Sequence, residues 1–260
     1  MKKLNVCLSI ILLSSLFSSV AGAQDEAAET GLVFTPIEIF ICNYKKGKGP
    51  EHLDKVIANW NKWMDDTGAE PYSAWIYTSF YNSPDYDFDV AWLGVWPDGK
   101  SMGKGTDQWL ADGGEQADAF AKVMTCPLHA NFASTELRGG PSENADSAVL
   151  AFSDCKFKED AKFADAMSAA SDWNAYMTAQ GSVGSEWFFF PVYGSDSEWH
   201  FKRVNAYPNY AELGADYDRY GNGAGYVKAQ ELHGDAYTCG VSRIYNSKRV
   251  RAGLPQQPQE

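Results

Sequence analysis

The apolar positions of this chain follow two rhythms, and the succession of rhythms is written twice. In "TPIEIFICNY", Ile37, Ile39 and Ile41 lie on one face and Glu38 and Phe40 on the other, the two-residue period of a strand. Leu53, Val56, Ile57, Trp60 and Met64 then recur at steps of three and four, with Pro50 near the start and Gly68 just past the end. That spacing predicts a capped amphipathic helix. "YSAWIYTSFY" and "FDVAWLGVW" read as strands joined by the turn-rich "NSPDYD"; a helical stretch from about 101 to 123 and a strand "HANFASTELR" follow. The second writing gives "AVLAFSDC", a helix carried by Phe163, Ala166, Met167, Ala170, Trp173 and Met177 before Gly181, then "EWFFFPVY", "EWHFKRVNAY", a helical stretch from about 211 to 232, and "CGVSRIYN".

The two writings are an internal duplication. At an offset of 113, Cys42 falls on Cys155, Lys45 on Lys158, Trp60 on Trp173, Asn61 on Asn174, Met64 on Met177 and Gly68 on Gly181. The offset becomes 111 where Trp96-Pro97 meets Tyr207-Pro208, Gly103 meets Gly214, Asp107 meets Asp218, Trp109 meets Tyr220 and Gly114 meets Gly225. It returns to 113 at Thr125-Cys126 and Thr238-Cys239. Two copies of a unit of roughly 105 residues predict tandem domains rather than a solenoid. The repeated tryptophan and methionine belong to the core of the first helix of each copy. Asn61 and Asn174 lie one step off the apolar stripe, where they could bond a loop.

The ends and the charge set the compartment. Lys2 and Lys3, the apolar "LNVCLSIILLSSLFSSV" and Ala21-Gly22-Ala23 form a secretory signal over residues 1–23, too short and wrongly flanked for a membrane span. No small-residue lipobox precedes Cys7, and no later segment is long and apolar enough to cross a bilayer. Without Lys2 and Lys3 the expected mature chain, Gln24 to Glu260, carries 20 basic and 34 acidic residues, a net charge of −14. An acidic surface argues against nucleic acid and anionic membranes as partners and suits solubility outside the cytoplasm, in the periplasm or the medium. Four cysteines remain, Cys42, Cys126, Cys155 and Cys239, an even number that in an exported chain points to disulfides. Four cysteines allow three pairings.

The order β-α-β-β-α-β in each copy is the split pattern of ferredoxin-like folds, an α+β class. Such a sheet has strand order 4-1-3-2, so the end of strand 1 lies beside the start of strand 4. That topology implies Cys42–Cys126 and Cys155–Cys239, each closing about 84 residues and stabilising by roughly 4–5 kcal/mol in the chain-entropy model. It also makes strand 2 an edge, which fits Pro191 in "WFFFPVY". Strand 3 is apolar on both faces, with Ala91, Leu93 and Val95 on one and Val90, Trp92 and Trp96 on the other. Helices cover one face of such a sheet, so the other copy's sheet is expected to cover the second. The whole resembles the dimeric α+β barrel superfamily, here as two ferredoxin-like repeats packed sheet to sheet in a single-chain pseudo-dimer. The expected divisions are a leader (24–34), a first repeat (35–138), a linker (139–146), a second repeat (147–247) and a disordered tail (248–260).

Candidate chemistry is sought where the copies differ, because a shared fold does not require those differences. The face bearing Trp92 and Trp96 in the first copy carries Arg203 and Asn205 in the second, and in strand 1 the face opposite Ile37, Ile39 and Ile41 carries Glu38 and Phe40. Were these faces to enclose a cavity, Glu38, Arg203 and Asn205 would stand in an aromatic box with Trp92, Trp96 and Tyr207. An Arg–Glu pair there could hold a carboxylate ligand or poise an acid–base group, or serve as a structural ion pair. The histidines His52, His129, His200 and His233 are scattered, with no H-E-x-x-H and no paired C-x-x-C, so no metal site is expected. "CPLH", from Cys126 to His129, has ligand-like spacing, but its cysteine is assigned to a disulfide. No cofactor is read from the residues. The resemblance implies haem as one option, through His129 or His200. "DYDFD" starts like a calcium loop but has Val90 and Trp96 where glycine and glutamate belong, and reads as a solvated turn. "GNGAG" lacks the context of a nucleotide fingerprint, and no G-x-S-x-G appears.

Two functions stay open. One is an exported protein that binds a small aromatic or apolar ligand, or a protein partner, at an aromatic-lined cavity. The other, implied by the resemblance, is a cofactor-independent monooxygenase-like or isomerase-like enzyme using one acid–base group, Glu38 or a histidine.

Overall fold

The computed structural model describes residues 31–141, 146–195 and 198–253. The signal segment, most of the leader, the centre of the linker and the last seven residues lie outside that set. The elements run β1 (Thr35–Tyr44), α1 (Pro50–Asp66), β2 (Ser73–Tyr81), a 3-10 turn (Pro84–Tyr86), β3 (Val90–Val95), α2 (Gly99–Asp112), α3 (Gly114–Val123) and β4 (Met124–Arg138). They continue with β5 (Ser147–Phe157), α4 (Phe163–Ala179), β6 (Ser185–Tyr193), β7 (Phe201–Tyr207), α5 (Tyr210–Gly221), α6 (Gly225–His233), β8 (Tyr237–Cys239) and β9 (Arg243–Arg251). Each long helical stretch expected after a third strand is thus two helices. Gly113 makes the first break: a Cβ there would lie 2.5 Å from the Trp109 carbonyl oxygen. At the second break Ala224 takes a left-handed φ of 59°.

Eight strands close into an antiparallel barrel in the order β1-β3-β2-β9-β5-β7-β6-β4, with β8 as a short extra partner of β5. The sheets of the two halves therefore meet edge to edge, β2 on β9 and β4 on β6, and from Phe34 onward the chain is one compact unit rather than two separable domains. The barrel interior draws on both halves, among them Ile37, Ile39, Leu93, Phe132, Phe152, Phe189, Val204 and Tyr245. That is why both faces of β3 are apolar: Leu93 points into the barrel, while Trp92 and Trp96 pack under α1, α2 and α3.

Closure corrects two expectations. Strand β6 is not an edge, since β4 and β7 flank it. Pro191 is accommodated because the ladder to β7 ends at Phe189 and the register to β4 shifts beside it. Residues 248–251, expected in the tail, belong instead to β9, which runs to Arg251 and pairs with β2. Lys248 and Arg251 reach Asp54 and Asp65 of α1, and Asn61 donates to the Val250 carbonyl. The loop partner expected for Asn61 is thus a strand of the other half, whereas Asn174 bonds Ala170 of its own helix.

Both disulfides pair as the strand order implies, Cys42 with Cys126 and Cys155 with Cys239, each closing 84 residues, and Cys42 and Cys155 are fully buried.

At one junction of the halves Asp154 accepts from Tyr86 Oη (2.9 Å), Lys202 Nζ (2.5 Å) and Arg243 Nη1 (2.9 Å), and Arg243 lies over the Tyr86 ring. Burial alone would raise the Asp154 pKa, but Arg243 and Lys202 outweigh it and hold the carboxyl at about 2. A depressed pKa means that the group's contribution is complete above the ordinary carboxylate value and fades as pH falls through about 2. Between pH 4 and pH 2 the wild type should therefore lose about 1–2 kcal/mol more unfolding free energy than Asp154→Asn, measured by urea titration. Parallel losses would show that the cluster contributes nothing through this charge.

Candidate functional site

Strand register places equivalent positions of the two halves side by side. Glu38 pairs with Gly94 and Phe40 with Trp92; at the same places Ala151 pairs with Asn205 and Ser153 with Arg203. Ser73 pairs with Val95 and Ser185 with Ala206, so Tyr72 matches Gly184 and Ala74 matches Glu186. These are helix-facing positions, and the halves fill them oppositely.

In the first half they are filled. Trp60 meets Trp92 edge-on with centroids 5.1 Å apart, and Tyr72 lies 4.4 Å from Trp96. The Tyr72 ring lies where a side chain on Gly94 would be: a Cβ there would sit 1.7 Å from Tyr72 Oη. Trp92 Nε1 donates to Tyr72 Oη, and Tyr72 Oη donates to Glu38 Oε1, both at 2.8 Å. Glu38 Oε2 lies 2.8 Å from His129 Nε2, whose ring stacks on Phe40 at 3.7 Å. Burial, then the Glu38 charge, pushes the Tyr72 hydroxyl pKa well up, so it remains a proton donor.

In the second half the same wall is hollow. Two rings (Phe40, Tyr72) become Ser153 and Gly184, Glu38 becomes Ala151, and the Trp92 indole becomes the Arg203 guanidinium. The result is a cleft of about 520 Å³ under α4, α5 and α6, within the size range of small-molecule sites. Its aromatic lining is Trp173, Tyr207 and Tyr237, with Tyr217, Tyr220 and Tyr226 at the rim. On its floor the fully buried Glu186 accepts from Arg203 Nε (2.9 Å), Arg203 Nη2 (2.7 Å) and Asn205 Nδ2 (2.7 Å). Burial would push the Glu186 carboxyl up, but Arg203 and Asn205 overcome it and its pKa is lowered. Arg203 is raised by the same carboxylate against burial.

Several buried polar atoms here have no hydrogen-bond partner among the described residues: Arg138 Nε and Nη1, both ring nitrogens of His233, and Tyr237 Oη. All three residues line the cleft. Burial and the Arg203 charge bring the His233 pKa down to about 4, and burial lifts the Tyr237 hydroxyl to about 12. At neutral pH the imidazole is uncharged and the phenol protonated.

The six residues expected to share one aromatic box are thus divided. Glu38, Trp92 and Trp96 belong to the filled half; Arg203, Asn205 and Tyr207 line the cleft. Glu38 pairs with Tyr72 and His129, and the acidic partner of Arg203 is Glu186. Sequence reasoning missed Glu186, Arg138, His233 and Tyr237. The signal for Glu186 lay in the repeat: at an offset of 112 it falls on Ala74, a charge on a core position. A broader hollow beside Glu159, Asp160 and Asp235 is lined by several exposed acidic side chains and, among the described residues, gathers no such unpaired buried groups.

Neither histidine expected to bind haem faces this cleft. His129 Nε2 is engaged by Glu38, and His200 Nδ1 accepts from the Phe157 backbone N–H at 2.9 Å. Among the described residues no group of three or more His, Cys, Asp or Glu side chains could hold a metal ion. His233 is the histidine at the cleft, its ring stacked 4.7 Å from that of Tyr237.

No protein-family model matches the chain, and no curated protein matches it. Solved structures do. A candidate chlorite dismutase is similar with a TM-score of 0.53 at 10% identity, covering 85% of this chain and 97% of its own. A candidate monooxygenase from Fusobacterium nucleatum gives 0.51 at 8% identity, covering 85% and 97%. A mutant chlorite dismutase from Candidatus Nitrospira defluvii gives 0.50 at 6%, covering 83% and 92%. The fold is similar to that of these chlorite dismutase-like and monooxygenase-like barrels. At these identities the likeness concerns the fold alone.

Proposed function

We propose that this is an exported protein whose second half binds a small aromatic molecule in the cleft under α4, α5 and α6. The observation that carries the reading is the convergence of unpaired buried polar groups, on Arg138, His233 and Tyr237, on one aromatic-lined cleft. A buried donor or acceptor without a partner costs about 1–3 kcal/mol, so an arrangement that gathers several is stabilised when a ligand completes them. The repeat supplies the origin of the space. We read residues 35–138 and 147–251 as two copies of one ferredoxin-like unit, a single-chain pseudo-dimer. One copy keeps an aromatic core and the other has traded it for a site. The two disulfides fit an extracellular or periplasmic protein. Among the described residues no helix is long and apolar enough to cross a membrane.

Saturation-transfer NMR with 2-naphthamide tests this. Binding is expected to the wild type and to be lost in Ser153→Phe, which restores the ring of the first half, while the unfolding midpoint stays within a few degrees. No binding, or binding indifferent to the added ring, overturns the reading.

A second reading, a cofactor-independent monooxygenase-like or isomerase-like enzyme, is favoured by His233. Its imidazole, neutral at pH 7 and unpaired, can take a proton from a bound substrate. Chemical change of the bound molecule, lost in His233→Gln, separates this reading from simple binding.

A further inference from the structure

Resting on the reading of the cleft as an aromatic-ligand site, we infer that its ligand is an aromatic carboxylate and that Arg138 receives the carboxylate group. Arg138 ends β4 directly across from Glu186 of β6 in the strand register. The Glu186 carboxylate is already used by Arg203 and Asn205, and among the described residues the second guanidinium has no acceptor for Nε or Nη1. Nε and Nη1 are themselves buried and Arg138 lines the cleft, which places the group at the cleft wall rather than in bulk water.

The charge count gives the sign of the missing partner. Arg138, Arg203 and Lys158 line the cleft against Glu186 and Asp216, and Asp216 is itself bonded by Arg219 Nη1 and Ser182 Oγ. The site is locally cationic inside a chain of net charge −12, so the excess is not a general property of the surface. A neutral acceptor would satisfy the N–H groups but leave the charge; a carboxylate answers both, and bonds between ions are roughly twice as strong as neutral ones. The Tyr237 hydroxyl is a further unpaired donor lining the same cleft. The ring of the ligand is left to Trp173 and the tyrosines, whose faces are sequence-tolerant stacking surfaces. Arg138 is thus a binding residue and sets the ligand's polarity.

Isothermal titration at pH 7.5 with 2-naphthoate and its neutral isostere 2-naphthamide tests the assignment. The wild type should bind the carboxylate at least tenfold more tightly than the amide. Arg138→Gln should bring the two within about twofold, with the amide affinity kept. Equal affinities in the wild type, or a preference that survives in Arg138→Gln, overturn the inference and leave the aromatic site standing. Failure of both compounds to bind overturns the aromatic site with it. The wild-type comparison needs no variant, so a poorly folded Arg138→Gln does not protect the inference.

Discussion

Glu186→Ala is expected to cost about 3–5 kcal/mol of unfolding free energy in urea titration. Glu186 is fully buried and is the acceptor for three hydrogen bonds from Arg203 and Asn205. Its removal leaves a buried guanidinium without a counter-charge, beside Arg138, whose Nε and Nη1 have no acceptor among the described residues. The loss therefore reflects an uncompensated charge more than the worth of the pair. The double variant Glu186→Met/Arg203→Met should recover most of it, because an apolar pair of similar volume removes both desolvation costs. A loss under about 1 kcal/mol for the single variant would mean that water reaches the floor of the cleft and that the pair is effectively a surface one.

Cys42→Ala/Cys126→Ala should lower stability by about 4 kcal/mol, and Cys155→Ala/Cys239→Ala by nearly the same amount, measured by denaturant unfolding. The equality is the sharper part. Both bonds close 84 residues, so the chain-entropy contribution is identical. Any difference must come from the native halves, one packed on tryptophans and the other bordering a cleft. A loss below about 1 kcal/mol for either pair would show that the denatured chain is already held compact without the bond.

The duplication made the architecture legible. The order of strands and helices, both disulfide pairings, the two apolar faces of β3 and the core role of Trp60 and Trp173 all follow from periodicity and repeat. The resemblance implied a barrel, but that β2 and β6 are not edges was not legible in the residues, because it depends on hydrogen bonds to the other half that leave no local mark. Pro191 shows this: one proline fits an open edge or a bulge beside a ladder's end. The candidate site was half legible. Arg203, Asn205 and Tyr207 were found because they stand where the other copy has Trp92, Gly94 and Trp96. Glu186 was hidden because β2 and β6 match at an offset between the two used for the rest of the chain. Arg138 and His233 sit at element ends, where polar residues are ordinary and pattern carries no information. Glu38 was legible as a charge on the face of β1 opposite the isoleucines, but its partners, Tyr72 and His129, close a network in the filled half.

On the proposed reading, the second half has traded its aromatic core for an occupied cleft. Native mass spectrometry of the protein purified from its own host measures this directly. One small organic molecule per wild-type chain is expected, released on denaturation and absent from Ser153→Phe. A bare polypeptide mass for the wild type, or a ligand retained equally by Ser153→Phe, would contradict it.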